Sequence, residues 1–169
     1  MGRLIVEQIV TADGYAADTD GGMRFIRQPD TLDADINAEQ LDLLSGVDAI
    51  VFGATTYRMF ADYWPTASVD DEPVTEPINR LPKHVVSNTL DRAPWGDGEI
   101  TIERGDGVDS VRSLKERYAG DLIVWGSLTL TDSLFAAGVV DVLRLRVVPR
   151  LLGSGRGVAP AGIALTELT

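Results

Sequence analysis

Two short apolar segments that end at glycine constrain the fold most strongly. The chain has AIVFG at residues 49–53 and LIVWG at residues 122–126. A strand that is apolar at successive positions is typical of a strand buried on both faces, as at the centre of a parallel sheet. Each segment is followed by a helical pattern, TTYRMFADYW after the first and TLTDSLFAAG after the second. The two segments therefore predict strand–helix units at the centre of an α/β sheet.

The rest of the chain continues this alternation of strands and helices. Further strands are predicted in RLIVEQIV, KHVVSNTL and EITIERGD, and further helices at residues 35–45 and 110–117. The segment ASVDDEPVTEPINRLP contains three prolines and is predicted to be a loop or a weak helix. VDVLRLRVVP alternates apolar residues with arginines, as an edge or half-covered strand does. We expect one α/β domain over residues 1–169, with a largely parallel sheet covered by helices on both faces.

Composition narrows the function. The chain has no cysteine and only one histidine, His84, which argues against a disulfide framework, a thiolate site and a zinc triad. No signal-peptide pattern and no apolar run of membrane-spanning length is present, so we expect a soluble, cytoplasmic protein without a membrane partner. A formal net charge of -11 disfavours nucleic acid as a partner, whereas backbone amides can still bind one small anionic ligand.

The carboxyl ends of the two apolar strands predict a ligand site. In open α/β sheets, ligands bind beyond these ends. After the second strand, Gly126 and Ser127 allow close approach to the backbone, and the amides of Leu128, Thr129 and Leu130 face outward at a helix start. After the first, Gly53 is followed by the hydroxyls of Thr55 and Thr56. Both patterns are also typical of a plain turn followed by a helix cap.

Six motifs in order carry a resemblance to a known family. The chain resembles the dihydrofolate reductase-like proteins, which include the reductase domain of the bacterial riboflavin-biosynthesis deaminase-reductase, from about Leu4 to Arg156. The resemblance implies a mixed, mainly parallel sheet and an NADPH-dependent reductase with the cofactor across the carboxyl ends of the strands. The motifs are ADGYAAD, VFGATTY followed by Trp64-Pro65, HVVSNTL, VWGSLTL, the AAG that precedes VVD, and LRVVPRLLGSGR.

The same resemblance implies a set of cofactor-binding positions. One group would hold the adenosine side and the pyrophosphate, a second would lie near the adenosine 2′-phosphate, and a third would meet the pyrophosphate at a helix start. The Asp13-to-Ala17 loop, with Ala16, would border the nicotinamide, opposite Leu152, Gly153 and Gly155. The adenosine and pyrophosphate group is Gly53, Ala54, Thr55 and Thr56. The 2′-phosphate group is Ser87, Asn88 and Thr89, and the group at the helix start is Gly126, Ser127, Leu128, Thr129 and Thr131.

Two departures from the family pattern bear on cofactor choice. Ala54 and Asn88 stand where relatives have arginines near the 2′-phosphate, and each loss removes a charge-assisted contact of roughly 1.5–3 kcal/mol. Arg58, Arg92 and Lys83 are the candidate substitutes. The resemblance implies NADPH as cofactor, and these two losses make NADH the alternative.

Candidate residues for the chemistry are fewer. Glu7 and Asp13 are the candidate acids; a carboxylate inside an apolar strand needs a partner such as Arg144 or Arg146, and Asp13 also fits the turn of an Asp-Gly pair. His84 fits a general acid or a surface residue. Four aromatic residues can stack on a planar substrate or pack in the core. They are Tyr15, Phe25, Tyr57 and Trp64.

Three functional hypotheses follow. The leading one is an NAD(P)H-dependent reductase of a small planar heterocycle, pterin-like or pyrimidine-like. The alternatives are a nucleotide-binding protein without efficient catalysis and a purely structural domain. We also expect a homodimer, because the alternating strand VLRLRVV offers an edge or an apolar face to a second copy.

Overall fold

The architecture alternates strands and helices, as the sequence predicts. A computed structural model describes residues 2–26 and 34–165. The strands are β1 Leu4–Thr11, β2 Tyr15–Ala17, β3 Val47–Gly53, β4 Lys83–Val86, β5 Pro94–Trp95, β6 Gly98–Glu99, β7 Thr101–Glu103, β8 Asp121–Trp125, β9 Val142–Val148 and β10 Arg156–Gly157. The helices are α1 Ala34–Ser45, α2 Ala54–Tyr63, α3 Thr75–Arg80, α4 Gly107–Arg117 and α5 Leu128–Ala136, with a 3-10 helix at Trp64–Thr66.

Six strands form the central sheet, in the order β7-β4-β3-β8-β1-β9. Every pairing in it is parallel, and β3 and β8 lie side by side at its centre with Ile50 opposite Ile123. The prediction that the two apolar segments are central strands is confirmed. Antiparallel pairing among the described residues lies outside this sheet, in the small pairs β2-β10 and β5-β6.

Helices cover both faces of the sheet. On one face, Ile50 and Phe52 of β3 pack in a cluster that includes Leu44 of α1 and Ile78 of α3. On the other face, the alternate residues of β3 pack against α4 and α5; this cluster includes Ala49, Val51, Val111, Leu114 and Leu134. Because successive side chains of a strand point to opposite faces, an unbroken apolar strand supplies both clusters. The predicted α/β fold with helices on both faces is confirmed.

Local polar contacts set boundaries that the apolar pattern does not predict. Helix α4 begins at Gly107 rather than residue 110, because the Asp106 carboxylate accepts hydrogen bonds from the amides of Val108 and Asp109 at 2.9 and 3.0 Å. Strand β4 ends at Val86, where the Ser87 hydroxyl begins to accept hydrogen bonds from the amides of Thr89 and Leu90. The proline-rich segment forms the six-residue helix α3, as its weak-helix alternative predicts.

Strand β9 lies at the edge of the sheet, as its alternating pattern predicts. Its register with β1 places Arg144 opposite Glu7 and Arg146 opposite Ile9. Leu145 and Val147, which alternate with these arginines along β9, are 42% and 60% exposed. In the part of the chain that the structure describes, no helix is long and apolar enough to cross a membrane.

Candidate active site

A cavity of about 900 Å³ opens at the carboxyl ends of the central strands. The starts of α2 and α5 line one side of it, and β1, β2 and α1 line the other. Ligand sites in proteins commonly have volumes of roughly 300–1,000 Å³ and lie at this edge of an open sheet. The cavity therefore lies where the sequence predicts a ligand site.

Hydrogen bonds tie the ends of β3 and β8 together. The Gly53 amide donates to Ser127 Oγ, that hydroxyl donates to the Trp125 carbonyl, and the Ser127 amide donates to Thr56 Oγ1, each over 2.8 Å. Gly126 and Ser127 both adopt left-handed backbone, with φ of 54° and 53°. The Gly-Ser pair thus turns the chain from strand to helix and locks the two strand ends in place. The Ser127 hydroxyl is engaged in this lock.

Two helix N-termini meet at this lock. Helix α2 follows Gly53 and helix α5 follows Ser127, and neither cap residue gives its helix a side-chain hydrogen bond. The first amides of a helix have no acceptor within the helix, and the helix dipole makes this end positive. The residues that carry them, including Ala54, Thr55 and Leu128, line the cavity. This side of the cavity is suited to a phosphate or pyrophosphate group.

Aromatic side chains form another wall of the cavity. Trp125, Phe60 and Trp64 all line it, and Phe60 stacks on Trp125 with ring centroids 5.6 Å apart and an interplanar angle of 24°. The centroids of Phe60 and Trp64 are 6.0 Å apart. Flat apolar faces of this kind bind planar rings.

Glu7 places a buried carboxylate in the cavity wall. Its residue is 3% exposed, and its Oε1 accepts hydrogen bonds from Gln40 Nε2 and Trp125 Nε1, both at 3.0 Å. Arg144 Nη1 lies 2.9 Å from Glu7 Oε2. This contact is the ion pair that a carboxylate in an apolar strand requires. The predicted arginine partner is therefore present, and it is Arg144. Within the described residues, Oε2 accepts no well-aligned hydrogen bond.

Comparison with known proteins fits this architecture. The family model for the RibD C-terminal domain matches residues 3–168. The chain belongs to the RibD C-terminal domain family. The resemblance predicted from the six motifs is thus confirmed. The family match and the structure agree in placing the chain among dihydrofolate reductase-like folds.

Individual relatives of this RibD C-terminal domain are distant in sequence. The uncharacterized protein YyaP of Bacillus subtilis (strain 168) is 24% identical over 159 residues, which are 91% of this chain and 78% of that protein. A putative riboflavin biosynthesis protein from Shewanella sp. PV-4 has a TM-score of 0.70 at 22% identity, over 97% of this chain and 87% of that chain. A dihydrofolate reductase from Enterococcus faecalis, complexed with NADP(H), has a TM-score of 0.58 at 14% identity, over 92% and 76%.

In this RibD C-terminal domain, most of the predicted strand-end residues line the cavity. Of the four aromatic residues predicted to contact substrate, Trp64 lines the cavity, whereas Tyr15, Phe25 and Tyr57 do not. Tyr57 is 3% exposed in the core, where its hydroxyl donates to the Pro94 carbonyl at 2.7 Å, so the prediction for Tyr57 is corrected. The predicted residues that line the cavity are Glu7, Ala16, Gly53, Ala54, Thr55, Thr56, Trp64, Gly126, Ser127, Leu128 and Thr129.

Other predicted residues lie outside the cavity for identifiable reasons. Thr131 is fully buried, and its hydroxyl donates to the Leu128 carbonyl at 3.1 Å within α5. Phe25 is buried, and its carbonyl accepts a hydrogen bond from Arg150 Nη1 at 2.9 Å. The Tyr15 hydroxyl donates to the Gly153 carbonyl at 3.4 Å. These contacts are structural.

Asp13 joins two loops outside the cavity. Its carboxylate accepts hydrogen bonds from the amides of Leu152 at 3.1 Å and Gly153 at 2.7 Å. Hydrogen bonding from the Thr11 hydroxyl and the Gly153 amide lowers the pKa of Asp13 to about 2. A carboxylate with these partners is suited to holding the loops and is a poor proton donor at neutral pH.

The turn after β4 contains a different cation from those predicted. The Ser87 hydroxyl accepts hydrogen bonds from the amides of Thr89 and Leu90, both at 3.2 Å, and the Asn88 side chain pairs with the Gly105 backbone. Arg104 donates to the Ser87 carbonyl at 3.2 Å from the end of the neighbouring strand β7. Ser87 and Asn88 do not line the cavity, but they lie at the same edge of the sheet, next to Gly53 along the β3-β4 pairing.

The three arginine and lysine substitutes selected from the sequence do not line the cavity. Arg92 is paired with Glu99 on the surface, and Arg58 is exposed on α2. Lys83 begins β4, at the opposite end of the strand from the cavity, and burial lowers its pKa to about 8. Among the residues that the structure describes, the arginines that line the cavity are Arg146 of β9 and Arg156 of β10. Sequence analysis did not select Arg156 as a site residue. Arg156 is paired with Asp132 of α5.

Proposed function

We propose that this protein is a nicotinamide-dinucleotide-dependent reductase of a small planar heterocycle. One observation carries this proposal: two open helix N-termini, a stacked aromatic wall and a buried carboxylate line the same cavity. Membership of the RibD C-terminal domain family supports it. So does the fold shared with a Thermotoga maritima deaminase/5-amino-6-(5-phosphoribosylamino)uracil reductase, with a TM-score of 0.63 at 16% identity over 98% of this chain and 51% of that chain.

The donor set fits a dinucleotide. A pyrophosphate needs several N–H donors in a positive environment, and the starts of α2 and α5 supply these side by side. An added Cβ at Gly126 would lie 2.7 Å from Thr56 Oγ1, so glycine keeps this backbone close to the α2 start. We propose that the amides of Ala54, Thr55, Leu128 and Thr129 hold the pyrophosphate, with Ala16 beside the nicotinamide. When bound, the reduced nicotinamide supplies a hydride.

The chain's own residues orient the substrate. We propose that the wall of Trp125, Phe60 and Trp64 binds one face of the heterocycle and excludes water from it. Three donors already surround the Glu7 carboxylate, so its oxygens act as acceptors; Oε2 is available for an N–H of the ring. This role makes Glu7 a binding residue and leaves the proton that completes the reduction to come from water. Asp13 lies outside the cavity and takes no part in the chemical step.

NADPH is the cofactor that we propose. Arg104 brings a positive charge to the Ser87 turn, where the resemblance places the adenosine 2′-phosphate. Arg104 donates to the carbonyls of Ser87 and Leu90, and a guanidinium has five N–H donors, so others are free for phosphate. This cation would compensate for the missing arginines at Ala54 and Asn88.

The first test is calorimetric titration of NADPH and NADH at low salt into wild type, Arg104→Gln and the matched control Arg112→Gln. Arg112 is an exposed arginine of α4, whose helix packs on the opposite sheet face from α2. We expect NADPH to bind at least tenfold more tightly than NADH, about 1.4 kcal/mol, with the preference lost only in Arg104→Gln. Equal binding of both, or none, would contradict the cofactor proposal.

Turnover is the second arm of this test. Oxidised pterins and pyrimidines are added with NADPH, and consumption is followed by the loss of NADPH absorbance. The alternative function is nucleotide binding without efficient catalysis, which Ala54 and Asn88 favour because they remove two phosphate contacts. NADPH binding without consumption across the panel would support this alternative.

We also propose that the protein forms a homodimer through β9. Its outer edge pairs with no other strand among the described residues, and Leu145 and Val147 are exposed on it. Exposed apolar strand edges are usually covered. Sedimentation of wild type and Val147→Lys tests this: we expect a dimer that the lysine weakens, and a monomeric wild type would contradict it.

A further inference from the structure

Arg146 lies between two cavities. It is half-buried on β9 and lines both the main cavity and a second one of about 300 Å³. The two cavities share Ile9 and Ile26 as well as Arg146. A ligand in the main cavity that extends toward β9 would therefore meet this guanidinium.

The two arginines of β9 differ in their partners. Arg144 is compensated by Glu7 at 2.9 Å and by Glu39 at 3.4 Å. Arg146 forms no hydrogen bond or ion pair with any residue that the structure describes. Burial lowers the pKa of Arg146, with the Glu7 charge acting in the opposite direction. A half-buried cation without a partner gains stability when an anion binds it.

Glu7 lies on the same face of the sheet as Arg146 and lines the main cavity. Its buried Oε2 forms an ion pair with Arg144 but accepts no well-aligned hydrogen bond from the described residues, so it can accept one from a ligand. In the register of β1 and β9, Glu7 is opposite Arg144, two residues before Arg146. Two residues along a strand span roughly 6–7 Å. Glu7 and Arg146 therefore lie on one face of two neighbouring strands, two positions apart in register, and both line the main cavity.

We propose that the substrate is a planar heterocycle that carries a carboxylate, with a ring N–H donating to Glu7 Oε2 and the carboxylate bound by Arg146. This inference rests on the proposed function. A carboxylate fits better than a phosphate dianion because one guanidinium neutralises a single negative charge, whereas a dianion needs a second cation. The second cavity offers no further unpaired cation among the described residues, and Glu39 in its wall would repel a second negative charge.

Fluorescence titration of three pterins tests this inference. The probes are pterin, 6-carboxypterin and the phosphate ester of 6-hydroxymethylpterin, titrated without any dinucleotide. The proteins are wild type, Arg146→Gln, Arg146→Lys and the charge-matched control Arg112→Gln. We expect 6-carboxypterin to bind wild type and Arg112→Gln at least tenfold more tightly than pterin. Arg146→Gln should lose this preference while its pterin affinity changes by less than about twofold, and Arg146→Lys should keep part of it.

A stability measurement separates ligand binding from a structural role. Because Arg146 has no partner in the described structure, Arg146→Leu should unfold at the same temperature as wild type or higher. A structural role predicts a lower unfolding temperature, and that result would overturn the proposal.

Two other results would also overturn it. One is equal affinity for pterin and 6-carboxypterin; the other is tighter binding of the phosphate ester that is lost in Arg146→Gln. Since these titrations contain no dinucleotide, a carboxylate preference that depends on Arg146 supports the inference even if NADPH fails to bind, which would count against the proposed function alone.

Discussion

The backbone amide of Gly53 donates a hydrogen bond of 2.8 Å to the hydroxyl of Ser127, and this contact joins the ends of the two central strands. The same hydroxyl donates to the Trp125 carbonyl. Ser127 also has a φ of 53°, a left-handed backbone that costs a residue with a Cβ about 1–2 kcal/mol. The hydrogen bonds therefore hold a strained residue where two helix starts meet the cavity.

Substitution of Ser127 separates its two effects. Ser127→Ala keeps the backbone strain and leaves the Gly53 amide without its acceptor, so the free energy of unfolding should fall by about 1–3 kcal/mol. Ser127→Gly also loses the hydroxyl but relieves the backbone strain. Its free energy of unfolding should therefore fall by no more than about 1 kcal/mol. Urea unfolding of both variants measures the difference. If the alanine variant were the more stable of the two, the left-handed conformation of Ser127 would be contradicted.

Gly126→Ala tests the close approach between the two strand ends. The new Cβ would lie 2.7 Å from Thr56 Oγ1, at a φ of +54°. Gly138→Ala is a matched control, because Gly138 has a φ of +63° and its Cβ would meet nothing within 4 Å. Both variants should lose stability through backbone strain, of order 1 kcal/mol. Only Gly126→Ala should lose more than that and also weaken dinucleotide binding, as measured by urea unfolding and calorimetry. Similar losses in both would show that the contact with Thr56 has no effect.

The strand-end residues could be predicted because the rule behind them is local. An unbroken apolar strand followed by glycine and a helix defines both a central strand and the open amides beyond it, as at Gly53 and Gly126. The aromatic wall could not be predicted in this way. Tyr57 and Phe60 lie on one helix, and only the position of Pro94, distant in the chain, directs the Tyr57 hydroxyl into the core.

Long-range pairing also decides which cations reach the site residues, including Arg104, which sequence analysis did not select. Arg104 reaches Ser87 because β7 pairs with β4, and Arg144 meets Glu7 through the register of β1 and β9. Neither pairing is encoded in a local pattern. Sequence analysis offered Arg144 and Arg146 as alternative partners of Glu7, and only the register of β1 and β9 selects Arg144.

His84 should make stability depend on pH. Its ring is buried, with Nδ1 2.8 Å from Glu103 Oε1 and Nε2 2.8 Å from the Tyr118 hydroxyl. Burial lowers the pKa of His84, although the Glu103 carboxylate acts in the opposite direction. Since the unfolded chain then binds the proton more readily, His84 contributes stability that is present above its unfolded pKa of about 6.5 and is lost as the pH falls through and below that value.

Urea unfolding between pH 5 and 8 measures this effect. His84 is the only histidine of the chain, so it is the one side chain whose ordinary pKa lies in this range. In wild type, the urea concentration at the unfolding midpoint should decrease as the pH is lowered from 8 to 5. In His84→Gln, this midpoint should depend less on pH. A wild-type midpoint that rises as the pH falls would show that the Glu103 contact outweighs burial.

Glu7 and Asp13 should respond differently to removal of their charge. Asp13 lies outside the cavity, and its pKa of about 2 means that it titrates far below neutral pH, so Asp13→Asn should change pterin affinity by less than about twofold at pH 5–8. Its contribution to stability is present above its unfolded pKa of about 3.9 and is lost only as the pH falls toward 2.

Glu7 accepts ligand N–H groups in the proposed site, so its loss should weaken pterin binding by tenfold or more. Because Glu7→Gln alone would leave the Arg144 charge without its buried partner, the double variant Glu7→Gln/Arg144→Met is the better test. Arg144→Met alone is its control, since it keeps the carboxylate in the cavity. Circular dichroism confirms folding, and fluorescence titration of pterin gives the affinity. If both variants bound pterin as tightly as wild type, Glu7 would serve only to pair with Arg144, and the ring would be held by the aromatic wall alone.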